Sequence, residues 1–146
     1  MQLKKIGVLL FATACLCANP VLTAYADTTQ PLVNEDISLA YEIADNPQSS
    51  LAIEDGVAYC TSVCNGNNAV SITVTQTLQK HWGLWIWNDV DNAEWQETVN
   101  RHSIYLSNTK SGLDSGTYRV KSVFELIDQN GEKEVITTYS NEQKNG

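Results

Sequence analysis

Asp89, Asp91, Asn92 and Glu94 place four oxygen-bearing side chains in six residues, a density at which a loop can wrap a calcium ion. The set lacks the glycine and the distant bidentate glutamate of an EF-hand loop, so an acidic surface turn accounts for it and no metal is expected. His81 and His102 are far apart and form neither H-x-x-x-H nor H-E-x-x-H, which argues against zinc. Nucleophilic catalysis needs Ser or Cys beside His and an orienting acid, and nothing in the chain order assembles that set. Carboxylates are plentiful, but a domain of this size has little room for the cleft of a glycosidase. The sequence therefore reads as non-catalytic, with no catalytic residue and no cofactor.

Cys60 and Cys64 form C-x-x-x-C, not the C-x-x-C of thioredoxin-like redox sites. In a straight strand, residues four apart lie roughly 13 Å from one another, beyond the about 4.4 to 6.8 Å that a disulfide spans. A bridge requires a bulge or turn at Thr61 to Val63, and the Asn65-Gly66-Asn67-Asn68 stretch just after makes an irregular strand end reasonable. A Cys60–Cys64 disulfide and two buried free thiols stand as alternatives.

The aromatic cluster is the other chemical feature: Trp82, Trp85, Trp87 and Trp95, with Tyr105, Tyr118 and Tyr139. It belongs to the segment around which the chain is organised, Val70 to Trp87. Val70, Ile72, Val74 and Leu78 fall on one side of an extended strand and hydroxyl and amide residues on the other, with Gln76 as the one break. His81-Trp82-Gly83 is expected to reverse the chain into Leu84 to Trp87. Alternation then puts Trp85 and Trp87 on one face and Leu84 and Ile86 on the other, so both faces are apolar. Most of these aromatics are expected in the core. Trp82, Trp85 and Trp95 are the candidate ligand contacts, suited to a sugar ring or a partner protein.

The chain has 146 residues and a formal charge of −8. Met1 to Lys5 form a positive start, Ile6 to about Ala18 an apolar run, and Ala24-Tyr25-Ala26 a small-x-small cleavage signal, which together read as a secretory signal peptide over residues 1–26. The apolar run is shorter than the roughly 18 to 20 residues that cross a bilayer. A competing reading uses Ala12-Thr13-Ala14-Cys15 as a lipoprotein box and anchors the chain by lipid at Cys15. Cleavage after Ala26 removes Lys4 and Lys5 and no acid, taking the charge from −8 to −10. Nucleic acid and anionic lipid are poor partners for such a chain, and no stable membrane insertion is expected once the signal is gone. No cell-wall sorting motif follows the domain, so release from the cell is expected.

Residues 27–50 are polar and acidic, with Pro31 and Pro47, and read as a linker or arm, although Ile37, Leu39, Tyr41 and Ile43 alternate as an added edge strand would. From Leu51 the punctuation is regular. Glu54-Asp55-Gly56, Asn65-Gly66, Ser107 to Gly116 and Asn130-Gly131 separate short alternating runs. Asn88 to Ala93 reads as a polar loop between two such runs. About seven strands and no long helix predict an all-β fold, a single immunoglobulin-like antiparallel β-sandwich over residues 51–140, followed by a polar tail over 141–146. Tyr118, at the start of the penultimate strand, is placed to hydrogen-bond back across a corner and lock the Greek-key crossover.

Leu113, Gly116, Tyr118, Val120 and Asn130-Gly131 resemble the tyrosine-corner stretch of fibronectin type III and related immunoglobulin-like domains. Leu78-Gln79-Lys80, Trp87 to Trp95, Gly116-Thr117-Tyr118-Arg119 and Tyr139-Ser140 are similar to a group of small secreted proteins of Gram-positive bacteria that has no established function. That resemblance implies a secreted β-sandwich and supplies no catalytic or ligand-binding residue.

The expectation is an exported binding or interaction module whose partner is an extracellular protein or glycan. A carbohydrate-binding module using exposed tryptophans, and a small hydrolase or hydrolase inhibitor, are the alternatives.

Overall fold

A computed structural model describes residues 41–146. The signal peptide, the lipidation reading at Cys15 and most of the acidic arm lie outside the described residues. Eight strands follow in order: β1 (Ala44–Glu54), β2 (Val57–Gly66), β3 (Ala69–Gly83), β4 (Ile86–Val99), β5 (Ser103–Lys110), β6 (Gly116–Asp128), β7 (Lys133–Tyr139) and β8 (Gln143–Asn145). All pairings are antiparallel. One sheet has the order β1-β2-β5 and the other β4-β3-β6-β7, with β8 paired to the first residues of β6. The chain crosses between sheets at β2 to β3, β4 to β5 and β5 to β6, which makes an immunoglobulin-like β-sandwich.

β1 begins at Ala44, inside the stretch read from sequence as the arm, and β8 lies inside the stretch read as the tail. Both are polar because both sit at margins. β1 is the edge of its sheet and alternates Leu51 inward with exposed Ser50 and Ala52. Pro47, which has no N–H to give a ladder, falls in a bulge between Asp45 and Gln48, and Asn46 beside it has φ 53°. The Glu134 carboxylate of β7 ties down the chain just ahead of β1. It accepts backbone N–H bonds from Glu42 at 3.1 Å, Ile43 at 2.9 Å and Ala44 at 2.8 Å. The β1–β2 turn is a two-residue one at Asp55-Gly56, both with positive φ (50° and 74°), as the Asp-Gly dipeptide predicts.

β4 joins into one strand what the sequence suggests are two. Its ladder with β3 is broken where Leu78 alone faces Val90 to Ala93, because Thr77 pairs with Glu94 and Gln79 with Asp89. The expected polar loop is therefore a bulge within β4. Asn92 sits there at φ 55°, and Ala93 turns inward to full burial.

Between the sheets the core divides into two clusters. Ile72, Val74, Ile104, Leu106, Phe124 and Leu126 lead one; Leu51, Cys60, Leu78, Tyr118 and Val120 lead the other. A chain of hydrogen bonds runs between them. Asn108 Nδ2 donates to Gln76 Oε1 at 3.0 Å, and Gln76 Nε2 donates to Ser62 Oγ at 2.6 Å. Ser62 and Ser122 share a bond of 2.7 Å, and Ser49 Oγ reaches Ser122 at 2.6 Å and Thr138 at 2.5 Å. Gln76, the break in the apolar pattern of β3, thus points inward and is fully buried with its polar atoms satisfied.

Candidate binding surface at the β3–β4 hairpin

The last pair between β3 and β6 is Lys80 with Tyr118. Beyond it β3 pairs only with β4, through His81 with Trp87 and Gly83 with Ile86, so the end of the hairpin is a two-stranded ribbon. The chain reverses at Leu84-Trp85, two residues later than His81-Trp82-Gly83 suggests. The sequence points to Gly83 because glycine is the usual turn residue, and Gly83 does take a positive φ of 146°, but within the two-residue turn itself it is Leu84 that takes the left-handed φ, 52°. A leucine there is strained by about 1–2 kcal/mol.

This turn puts apolar side chains into solvent. Trp82 is 76% exposed, Leu84 80%, Trp85 81% and Ile86 45%. His81 holds the reversal from behind, its Nε2 lying 2.8 Å from the Leu84 carbonyl oxygen and its ring 5.0 Å from that of Trp87.

The three candidate tryptophans separate. Trp82 and Trp85 meet at the tip with Leu84 and Ile86. Trp95 does not join them; it lies far along β4 opposite Gln76, half-buried, and packs against both core clusters. Trp87 lies against Arg119, whose guanidinium carbon is 4.1 Å from the Trp87 ring centre and 4.2 Å from that of Tyr139, while Trp85 is in the turn. Arg119 Nε also donates to Gln79 Oε1 at 2.9 Å, and Gln79 Nε2 donates to Asp89 Oδ1 at 2.8 Å. This stack fastens β4, β3, β6 and β7 together on the outer face of the larger sheet.

Under the hairpin a cavity of about 190 Å³ opens, with Trp82 at its rim and Lys80, Asn88, Lys110, Leu113 and Asp114 among its walls. Tyr118 forms its floor and donates its hydroxyl to the Asp114 carbonyl oxygen at 2.8 Å, the geometry of a tyrosine corner. Lys80 Nζ is 3.9 Å from the Asp114 carboxylate and 5.6 Å from the centre of the Tyr118 ring. The lysine stem lies on Gly116, where a Cβ would come within 2.6 Å of Lys80 Cε. Leu84, Ile86, Lys80 and Lys110 were missed as site residues. The signal for Leu84 and Ile86 was the unbroken apolar run of residues 84–87, which is too short to tell a buried strand from an exposed tip, while nothing local marks the two lysines.

Cys60 and Cys64 are both free and buried. They lie on the same face of β2, whose register with β5 runs unbroken from Ala58 to Asn65, so the bulge that a bridge requires is absent and the disulfide alternative falls. Burial pushes the Cys60 thiol up to about 12. Burial, then the charges of Glu134 and Asp45, push Cys64 up to about 11. The acidic cluster is divided among neighbours: Asp89 is taken by Gln79, and Glu94 accepts a long bond from Thr77 Oγ1 at 3.4 Å. No three His, Cys, Asp or Glu side chains among the described residues converge as metal ligands do.

No family model matches the chain, and no curated protein matches it. Among solved structures it is similar to OgpA from Akkermansia muciniphila, at 11% identity and a TM-score of 0.39, over 73% of this chain and 31% of that one. The chain thus spans about a third of the length of that protein. The class that the strand order and the tip define is a small immunoglobulin-like β-sandwich that presents an apolar hairpin.

Proposed function

We propose that the mature chain is an exported, non-catalytic binding module that meets its partner outside the cell through the β3–β4 tip. The observation that carries this reading is the exposure of Trp82, Leu84, Trp85 and Ile86 on one strained turn. Apolar side chains gathered in solvent on a two-stranded ribbon lower the stability of the free protein and gain only when covered. Export rests on the signal-like residues 1–26, and an N-terminus other than Asp27 on the secreted protein would argue against cleavage there.

The test is a photo-crosslinking amino acid at position 84, with position 107 as the control, since Ser107 is exposed on the outward face of β5 in the smaller sheet and does not line the cavity under the hairpin. In the extracellular fraction of the producing cells, adducts are expected from position 84 and not from 107. Equal labelling from both positions, or none from 84, contradicts the reading.

The cavity beside Trp82 favours a second reading, a glycan as the partner. An indole rim with lysine, asparagine and aspartate walls has the stacking surface and hydrogen-bonding groups that a sugar ring uses. A glycan array that retains one saccharide with the wild type and loses it with Trp82→Ala would support this. A blank array with folded wild type would exclude it.

A further inference from the structure

We infer that the β3–β4 tip seats reversibly in the interface of an electrically neutral phospholipid bilayer, an inference that rests on the tip being the contact surface. The shape of the tip is the first argument. It is convex, made of a two-residue turn and the residues beside it, and Trp82, Leu84, Trp85 and Ile86 point outward from it. A rigid protein partner must supply a matching pocket for such a shape, whereas a lipid interface accepts it without one.

The order of side chains away from the turn is the second argument. Leucine, isoleucine and two tryptophans come first, and the only polar side-chain atoms among residues 82–86 are the two indole N–H groups. His81, Lys80 and Asn88 form the next layer, with Lys110 across the cavity from Trp82. The first carboxylate on either strand of the hairpin is Asp89, opposite Gln79 and already hydrogen-bonded to it. From the turn to the paired Lys80 and Asn88 is roughly 10 Å, three residues along β4 at about 3.3 Å each with one extra residue bulged on β3, so the apolar tip reaches the acyl boundary while the amide and ammonium groups lie at headgroup level. Indoles favour that boundary because the ring is apolar and its N–H still needs a partner.

Charge selects the lipid. The carboxylates that share this end, Asp114 beside Lys80 and Asp55 in the β1–β2 turn, offset the lysines, and the chain as a whole carries −8. A negatively charged bilayer repels such a molecule, and a zwitterionic one does not. The contact is interfacial and is no membrane span.

The experiment is sedimentation of the mature protein with phosphatidylcholine vesicles, alone and with phosphatidylglycerol added, together with tryptophan emission. Wild type is expected to pellet with phosphatidylcholine and shift its emission to the blue, and to bind no better when phosphatidylglycerol is added. Trp82→Ala with Trp85→Ala, and separately Leu84→Ser, should cut binding about tenfold or more, since each exposed large apolar side chain gains on the order of 1.5–3 kcal/mol when buried. Circular dichroism would check that the variants keep the fold. Wild type that stays in solution with every vesicle overturns the lipid assignment alone and leaves the tip reading to the crosslinking result. Binding that needs phosphatidylglycerol overturns the neutral-surface assignment. Vesicle binding undiminished in the tip variants overturns both the assignment and the tip reading.

Discussion

Cys60 and Cys64 show how little a residue type says without its strand. Both sulfurs are four residues apart on one straight strand facing the core, so they pack as small apolar side chains and do not pair. Their thiols are held protonated, about 12 for Cys60 and about 11 for Cys64 against 9.0 in the absence of burial. The unfolded chain loses these protons more readily, so their contribution to stability is complete below pH 9 and declines as pH rises through the folded values. Denaturant midpoints are expected to fall between pH 9 and 11, and a Cys60→Ala, Cys64→Ala variant, though less stable, should fall less steeply. Native protein should also resist a thiol reagent until unfolded, and its melting temperature should ignore reductant. A reductant-sensitive melting temperature would show a bridge and contradict this packing. The sequence carried the geometric objection to the bridge, but not whether β2 was bulged, because Asn65-Gly66 is compatible with either outcome.

At the scale of elements, β3 decides most. Its alternation was legible from Ile72 on, and Ile72, Val74 and Leu78 on its inward face lie beside Leu126, Phe124 and Val120 of β6, buried between the two sheets. Gln76 was legible only as an interruption, since a polar residue in an apolar series gives no hint of partners on other strands. Those partners come from β2 and β5, and the resulting hydrogen-bonded chain ties the two sheets in one register. Gln76→Ala should therefore cost about 2–4 kcal/mol, through lost packing and the polar groups left behind on Ser62 and Asn108. A urea titration showing less than about 1 kcal/mol would mean the polar chain is not a structural tie.

The hairpin at the end of β3 makes the opposite case. The dense apolar run 84–87 suggested core, and its exposure depends on where the chain reverses. That point, in turn, depends on a leucine accepting φ 52°, which no local preference predicts. Leu84→Gly should leave stability unchanged or raise it by up to about 1 kcal/mol, because relief of the backbone outweighs or offsets the added freedom of the unfolded chain. A clear loss in the same titration would mean Leu84 packs on something and is not a free contact residue.

For the whole molecule, the sandwich was readable because turn signals and alternation agreed over most of the chain, while its limits were not. β1 and β8 add to the sheets at positions where polar composition suggested an arm and a tail. Edge strands bury one face at most, so hydropathy understates them. The resulting domain is acidic, carries a two-part core, and gathers its exposed tryptophans, Trp82 and Trp85, at the end where β3 outruns β6, while the exposed tyrosines Tyr59, Tyr105 and Tyr139 are spread over β2, β5 and β7. That segregation is what both functional readings depend on. The direct measurement is acrylamide quenching of fluorescence in variants that each retain one of Trp82, Trp85, Trp87 and Trp95. The account predicts steep quenching for Trp82 and Trp85, as for free indole, and shallow quenching for Trp87 and Trp95; a shielded Trp82 or Trp85 would contradict it.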